Sequence, residues 1–335
     1  MSFLGEQNFE HESSEKIGVL LCNLGTPDSF QTSDVRKFLK EFLSDGRVVE
    51  VPKFIWWFIL NGIILIFRPK KSAKLYESVW TKEGSPLLVY SEKLVSKLLK
   101  ELPNNYEIEL AMRYGNPSIE EGLIALKKKN RRNLIVLPLF PQYSGTTTGS
   151  VFDEVSRVLS KWRWVPNLNF INSYHDDEGY IIALSDSIKE KLENESPQKI
   201  IFSYHGIPKR NFIKGDPYHC LCKKTTRLVA ERLGLDEDKY ITTFQSRFGR
   251  AEWLKPFTSE TMDNLPSENI KNILVVAPGF SVDCLETIEE IDDENKEIFI
   301  NAGGEKFGYI PCLNDSQQHI HFIRDFLQKQ TYIWK

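Results

Sequence analysis

The sequence predicts an α/β protein built from two tandem parallel-sheet units, and three observations carry that prediction. Short apolar runs alternate with longer amphipathic stretches along the whole chain. The runs stop at punctuating residues, as in Gly25-Thr26-Pro27, Gly115-Asn116-Pro117, Gly206-Ile207-Pro208 and Pro278-Gly279. The length of 335 residues, 41% of them hydrophobic, suits one large domain or two ordinary ones. Strand–helix alternation implies parallel strands covered by helices on both faces. Two such units in tandem place the expected active cleft between them.

Taken in order, residues 17–23 read as a strand and 33–42 as a helix. A strand over 108–113 leads to a helix over 118–128, with Ser118 as cap and Glu121 three residues on. Residues 134–140 form the next strand, which stops at Pro141, and 151–159 the next helix. Further strands are expected near 168–171, 200–204, 240–244 and 273–277, with helices at 180–194, 222–233 and 285–292. A last helix over 316–330 is expected to pack back on the first unit. The expected domains are residues 16–163 plus 316–333, and 164–315, after a frayed polar tail over 1–15.

A net charge of -3 gives no electrostatic case for nucleic acid. Lys127-Lys128-Lys129 and Arg131-Arg132 read as a solvated helix end. Five cysteines are an odd number, which argues against a disulfide framework and for a reducing compartment. Cys220-Leu221-Cys222 has no second pair to complete a zinc site. The start of the chain lacks the basic and apolar regions of a signal peptide.

One stretch, residues 54–67, is strongly apolar, but about fourteen residues fall short of the roughly twenty that a spanning helix needs. Asn61-Gly62 interrupts it, Lys53 precedes it, and Arg68-Pro69-Lys70-Lys71 follows. Three readings stay open: a segment lying at a membrane surface, an apolar lip around a greasy ligand, or a buried core helix.

The chemistry gathers at strand ends. A strand stops at His205, and Gly206 and Pro208 fix a tight exit; that end faces the ligand crevice of an open parallel sheet. A neutral imidazole there ligates iron or accepts a proton near neutral pH. The strand over 273–277 ends at Pro278-Gly279-Phe280, and an acidic helix follows. Glu286, Glu290 and Asp293 share one helix face by spacing, with Asp283 three residues before Glu286. Carboxylates with an imidazole suit Fe2+. The bland alternative is a capping box between Asp283 and Glu286. Tyr143-Ser144-Gly145-Thr146-Thr147-Thr148-Gly149-Ser150 resembles a phosphate cradle without the lysine of a P-loop, and caps a helix on the simpler reading. Arg113-Tyr114 ends another strand, where the arginine binds a carboxylate or is structural.

These segments together resemble the ferrochelatase family over nearly the whole chain. The matches are Val19-Leu20-Leu21-Cys22-Asn23-Leu24-Gly25-Thr26-Pro27, Lys74-Leu75-Tyr76 with Gly84-Ser85-Pro86-Leu87, and Met112-Arg113-Tyr114-Gly115. Phe140-Pro141-Gln142-Tyr143-Ser144 and Thr147-Thr148-Gly149-Ser150 follow, then Phe202-Ser203-Tyr204-His205-Gly206-Ile207-Pro208 and Gly215-Asp216-Pro217-Tyr218. Gln245-Ser246-Arg247-Phe248-Gly249, Trp253-Leu254, and Pro278-Gly279-Phe280 with Asp283 and Glu286-Thr287 complete the series.

The resemblance implies two Rossmann-like domains and insertion of Fe2+ into protoporphyrin IX, the terminal step of protohaem synthesis. It implies that His205 is the active-site histidine, as metal ligand or proton acceptor, and that Glu286 faces it across the porphyrin. Glu290, Asp293 and Asp283 stand for the acidic path, and Arg113, Tyr114, Tyr143, Trp253 and Phe280 for the macrocycle pocket. Trp56, Trp57, Phe58 and Ile59 lie in the lip, 51–71, which in this family also meets the membrane. A cytoplasmic monomer touching the inner membrane surface is expected. Some members hold a [2Fe–2S] cluster; here Gly145 stands at its first cysteine position and no cysteine lies beyond Cys312, so none is expected. Cys284 stands where animal members have a histidine. The lip and Val79-Trp80 look closer to protoporphyrin-using Gram-negative members. A chelatase for another tetrapyrrole or metal, such as coproporphyrin, and a non-catalytic two-lobed carrier are the rival readings.

Overall fold

Two four-stranded parallel sheets form along the apolar runs, one in each half of the chain. The computed structural model describes residues 3–5, 16–249 and 251–334. The first half runs β1 (Ile17–Thr26), α1 (Thr32–Ser44), α2 (Lys53–Ile59), α3 (Leu65–Val79), α4 (Pro86–Glu101), β2 (Tyr106–Gly115), α5 (Ile119–Lys128), β3 (Asn133–Pro138), α6 (Thr148–Leu159) and β4 (Asn167–Phe170). The second half runs α7 (Glu178–Leu192), β5 (Lys199–His205), α8 (Lys209–Ile213), α9 (Tyr218–Leu233), β6 (Tyr240–Gln245), α10 (Thr258–Asn264), β7 (Asn272–Val276), α11 (Leu285–Thr287), α12 (Lys296–Asn301), β8 (Lys306–Ile310) and α13 (Gln317–Gln330).

The two sheets repeat one topology. Their strand orders are β2-β1-β3-β4 and β6-β5-β7-β8. In each, the first strand in sequence is central, the second pairs on one side and the third on the other. A central parallel strand is covered on both faces and reads as a continuous apolar run. Accordingly Val19, Leu20, Leu21 and Cys22 of β1 are wholly buried, as are Ile201 and Phe202 of β5. The chain reverses direction across the sheet between β1 and β3, and between β5 and β7. Ligand crevices of such sheets open at that reversal, beyond the strand carboxyl ends. His205 ends β5 at this place in the second sheet.

Contacts divide the chain into two compact units, residues 1–139, 145–173 and 323–335 in one, 140–144 and 174–322 in the other. This moves the expected boundaries in three places, the first being residues 140–144, which were expected in the first domain and group with the second unit. β4 was expected to open the second domain, but Leu134↔Leu168 and its neighbours pair it with β3, so the first unit runs on to Ser173. Strand character was legible there; the sheet that would accept the strand was not. The last helix, expected wholly with the first unit, is divided, and Gln317–Phe322 groups with the second. The 1–15 tail lies mostly outside the described residues. Within it, Leu4 is tied down: its N–H donates to Lys161 O at 2.8 Å, and its carbonyl accepts from Arg163 N at 3.0 Å.

Local expectations hold where capping chemistry is explicit. Ser118 and Glu121 form a reciprocal box at the start of α5, with bonds of 2.8 and 3.2 Å. The apolar stretch becomes α2 and α3, joined by a widened turn over Leu60–Ile64 at Asn61-Gly62. It is not a buried core helix. Phe54 is 76% exposed and Phe67 72%, and Trp57, Phe58, Ile63 and Ile66 are exposed beside them. No helix among the described residues is long and apolar enough to cross a membrane.

Candidate active site

The second unit builds its site from the ends of β5 and β6 and from the acidic helix that follows β7. His205 is half-buried, and its Nδ1 lies 2.7 Å from the Gly206 carbonyl oxygen. A carbonyl only accepts, so Nδ1 carries the proton, and in the neutral ring Nε2 keeps its lone pair. Gly206 must be glycine for a steric reason. A Cβ there would sit 2.7 Å from the Gln245 carbonyl oxygen and 3.2 Å from a Trp253 ring carbon. This close approach lets Gly206 N–H donate to Gln245 O at 2.7 Å. Trp253 is held next to the His205 exit: residues 208 and 253 form a bridge, Leu254 N–H donates to Ile207 O at 3.1 Å, and the indole N–H donates to Phe248 O at 2.9 Å.

The acidic helix departs from regular spacing. α11 spans three residues, and the chain then widens over Ile288–Asn295 before α12. Its cap is Cys284, with Thr287 Oγ1 accepting from the Cys284 N–H at 3.0 Å. The box expected between Asp283 and Glu286 is therefore displaced by one residue. Widening also breaks the shared face assumed for Glu286, Glu290 and Asp293, because a widened turn advances less per residue than a 3.6-residue helix. Asp293 is exposed, whereas Glu290 is tucked inward. The Ser246 hydroxyl and Gln245 Nε2, the latter at 3.1 Å, both donate to Glu290 Oε2. Gln245 Nε2 also donates to the Glu286 carbonyl at 2.7 Å. Gln245 pairs in register with His205, so one amide links the histidine strand to both glutamates.

Burial is the largest influence on Glu290 and, with Glu286 nearby, raises its carboxyl above the usual range against the Ser246, His205 and Gln245 interactions. Burial likewise raises Glu289, with Glu294, Glu290, Asp293 and Glu286 adding like-charge repulsion. This turn thus concentrates negative charge that a cation would relieve. Among the described residues no three histidine, cysteine or acidic side chains converge into a ready-made metal cage.

The structure sets Asp283 apart from that face. Its Oδ1 accepts from Tyr309 OH at 2.6 Å, Thr287 Oγ1 at 3.0 Å and Cys312 N–H at 3.3 Å; its Oδ2 accepts from Asn314 Nδ2 at 2.6 Å. Asp283 is a pin that fixes where the acidic helix begins. Tyr143 and Phe280 are half-buried in the second unit. Arg113 and Tyr114 belong to the first unit and are also committed. Arg113 Nη2 meets Asp45 Oδ2 at 2.7 Å, its Nε donates to Ser150 Oγ at 2.7 Å, and Tyr114 OH donates to Asp45 Oδ2 at 2.8 Å. Tyr114 is wholly buried. In the lip, Trp56 is pinned through its indole N–H to Leu43 O at 2.6 Å, while Trp57 and Phe58 are exposed and Ile59 is half-buried.

Comparison with known proteins adds the family. Residues 16–331 match the profile of the ferrochelatase family. The chain belongs to the ferrochelatase family. The ferrochelatase of Thioalkalivibrio sulfidiphilus is 53% identical, covering 100% of this chain and 92% of that one. Ferrochelatase 2 of Shewanella oneidensis is 52% identical over 95% of this chain and 98% of its own length. Among solved structures, the sirohydrochlorin chelatase SirB of Bacillus subtilis in complex with cobalt superposes with a TM-score of 0.56 at 11% identity, covering 96% and 98% of the two chains. At that identity the likeness shows the fold, two parallel α/β units, and not the substrate. As a ferrochelatase, this chain is an enzyme that inserts metal into a porphyrin.

Within this ferrochelatase, Gln245, Ser246 and Ser150 were quoted only within matched segments, and no role was read for them, for Asn314 or for Asp45. Gln245 and Ser246 had a signal: they end an apolar strand beside the one that ends at His205. Ser246 has φ +65°, an uncommon backbone for a residue with a Cβ. For Asp45 only the bond from the Arg47 N–H, at 2.7 Å, is local; Arg113, Tyr114 and Ser150 are distant in sequence and gave no signal.

Proposed function

We propose that the protein inserts Fe2+ into protoporphyrin IX with release of two protons, completing protohaem synthesis. The observation that carries the reading is the His205 ring. With Nδ1–H given to Gly206 O, Nε2 presents a fixed lone pair, in the unit where Gln245 ties Glu286 and Glu290 together. Both pyrrole N–H protons must leave before the metal sits in plane. Nε2 takes a proton, or ligates the metal, at one step. Glu286 is the acid of the reacting centre, and Glu290, drawn toward His205 and Ser246, passes protons or metal onward. Rigid aromatics such as Trp253, Phe280 and Tyr143 suit a pocket that bends the ring and turns its nitrogen lone pairs toward the metal.

The preference for protoporphyrin rests on the exposed apolar lip, which suits a sparingly soluble macrocycle. The same lip supports reversible attachment to the inner membrane surface through Trp57, Phe58 and their neighbours, flanked by Lys53, Lys70 and Lys71. The reading includes no iron–sulfur cluster. It is tested by adding Fe2+ or Zn2+ anaerobically to protoporphyrin IX and to coproporphyrin with the protein, and following absorbance. Faster insertion into protoporphyrin supports the proposal. A tenfold preference for coproporphyrin, or binding of either ring without turnover, contradicts it.

A further inference from the structure

The side chain that touches most of this site without an assigned role is Gln245. It is the last residue of β6, in register with His205, and only 4% exposed. Its orientation is determined rather than free. The Glu286 carbonyl only accepts, so the NH2 end must face the acidic helix, and Oε1 accepts from the Ser203 hydroxyl at 2.8 Å. That end donates to the Glu286 carbonyl at 2.7 Å and to Glu290 Oε2 at 3.1 Å.

Side-chain donors support the widened turn and the residues just before it. Residues 288–295 form a π-helical turn, in which backbone bonds run i→i+5 in place of i→i+4. Two side-chain amides add bonds to carbonyls here, one just before the turn and one within it. Gln245 takes the carbonyl of Glu286, and Asn295 Nδ2, itself buried, donates to the carbonyl of Glu290 at 2.5 Å. Glu286 is thereby fixed through its main chain and Glu290 through both main chain and carboxylate.

We propose that Gln245 is a positioning residue of metal insertion, setting the place of Glu286 and the direction of the Glu290 carboxylate beside His205. The proposal rests on the reading of Glu286 as the acid of the reacting centre. Gln245→Met keeps length and removes both donated bonds. Gln245→Glu sets an acceptor against a carbonyl and a carboxylate. Loss of a group that orients a ligand typically lowers activity or metal affinity about 10- to 100-fold.

The test is steady-state zinc insertion into protoporphyrin, with porphyrin Kd from fluorescence quenching and a thermal melt for each variant. Gln245→Met should lower kcat about tenfold or more and raise the metal KM, leave porphyrin Kd within about twofold, and Gln245→Glu should be worse. Thr258→Val is the structural control. It removes a buried hydroxyl bonded to Ser203 and Thr243 without touching Gln245 or the glutamates, and should lower the melt alone. If both variants lose activity only in step with folded protein, the positioning role is overturned. If Gln245→Met does not fold, Ser203→Ala, which frees the amide to turn, should lower kcat several-fold, and wild-type kcat there overturns the proposal. Glu286→Gln separates the two readings. Wild-type turnover by Glu286→Gln overturns the site itself. An inactive Glu286→Gln beside a Gln245→Met with normal kcat and metal KM overturns only the positioning role.

Discussion

Replacing Asp283 by alanine should destabilise the second unit without removing the chemistry. The carboxylate is 5% exposed and accepts four hydrogen bonds. Two donors have somewhere to turn. Thr287 Oγ1 already reaches Cys284 O at 3.2 Å, and Tyr309 OH lies 3.6 Å from Cys312 Sγ. The Cys312 N–H, which is buried, is left without its acceptor, and the half-buried Asn314 amide loses its bond as well. At about 1–3 kcal/mol for the buried donor and about 1 kcal/mol for the half-buried one, the loss is roughly 3 kcal/mol. For a unit of this size about 2–4 °C is lost per kcal/mol, so the melting temperature should fall by roughly 10 °C. Asp283→Asn keeps an oxygen for three donors and meets the Asn314 amide donor to donor, so its loss should be about 1–3 kcal/mol. The assay is a thermal melt by circular dichroism, paired with zinc insertion at low temperature and normalised to folded protein. An unchanged melt with turnover reduced a hundredfold would refute the pin and return Asp283 to the acidic path.

Three other outcomes are expected. Burial raises the Asp45 carboxyl most, yet the Ser150 hydroxyl, Arg47 amide, Tyr114 phenol and Arg113 guanidinium together hold it below the usual range. A carboxyl lowered in this way stabilises the fold above its unfolded pKa, and the stabilisation disappears as pH falls through the folded value. The stability gap between wild type and Asp45→Asn should therefore be full at neutral pH and close in acid; a gap independent of pH contradicts this. The protein should co-sediment with anionic vesicles at low salt and less at high salt, at about 1 kcal/mol per basic residue near the surface. Trp57→Ser with Phe58→Ser should abolish this, and equal binding by both proteins would exonerate the lip. Protein purified after growth with ample iron should lack iron–sulfur absorbance, and a stoichiometric [2Fe–2S] spectrum would overturn that expectation.

Much of the fold was legible because its signals are local. Apolar runs with Gly and Pro stops gave β1, β3, β5 and β7, and the Ser118–Glu121 spacing gave the start of α5. β8 was missed: Lys306-Phe307-Gly308-Tyr309 is short and carries only a partial apolar pattern, as edge strands do. β4 was recognised as a strand but given to the wrong unit, since strand pairing is a long-range choice that alternation does not encode. In the site, His205 was legible from its place at a strand end. The acidic helix was half-legible. Its composition announced it, but a 3.6-residue period placed Asp293 with Glu286, and the widened turn over Ile288–Asn295 has no period to read. Gln245, about forty positions away, bonds the Glu286 carbonyl and the Glu290 carboxylate, and that contact shows only when β6 lies next to β5.

The central claim is that His205, with its free Nε2, drives metal insertion. The most direct measurement is zinc or iron insertion into protoporphyrin IX by His205→Ala, with porphyrin binding measured in parallel by fluorescence. Removal of a positioned base or ligand should lower turnover about a hundredfold or more while the porphyrin still binds. Near-wild-type turnover by the variant would contradict the account.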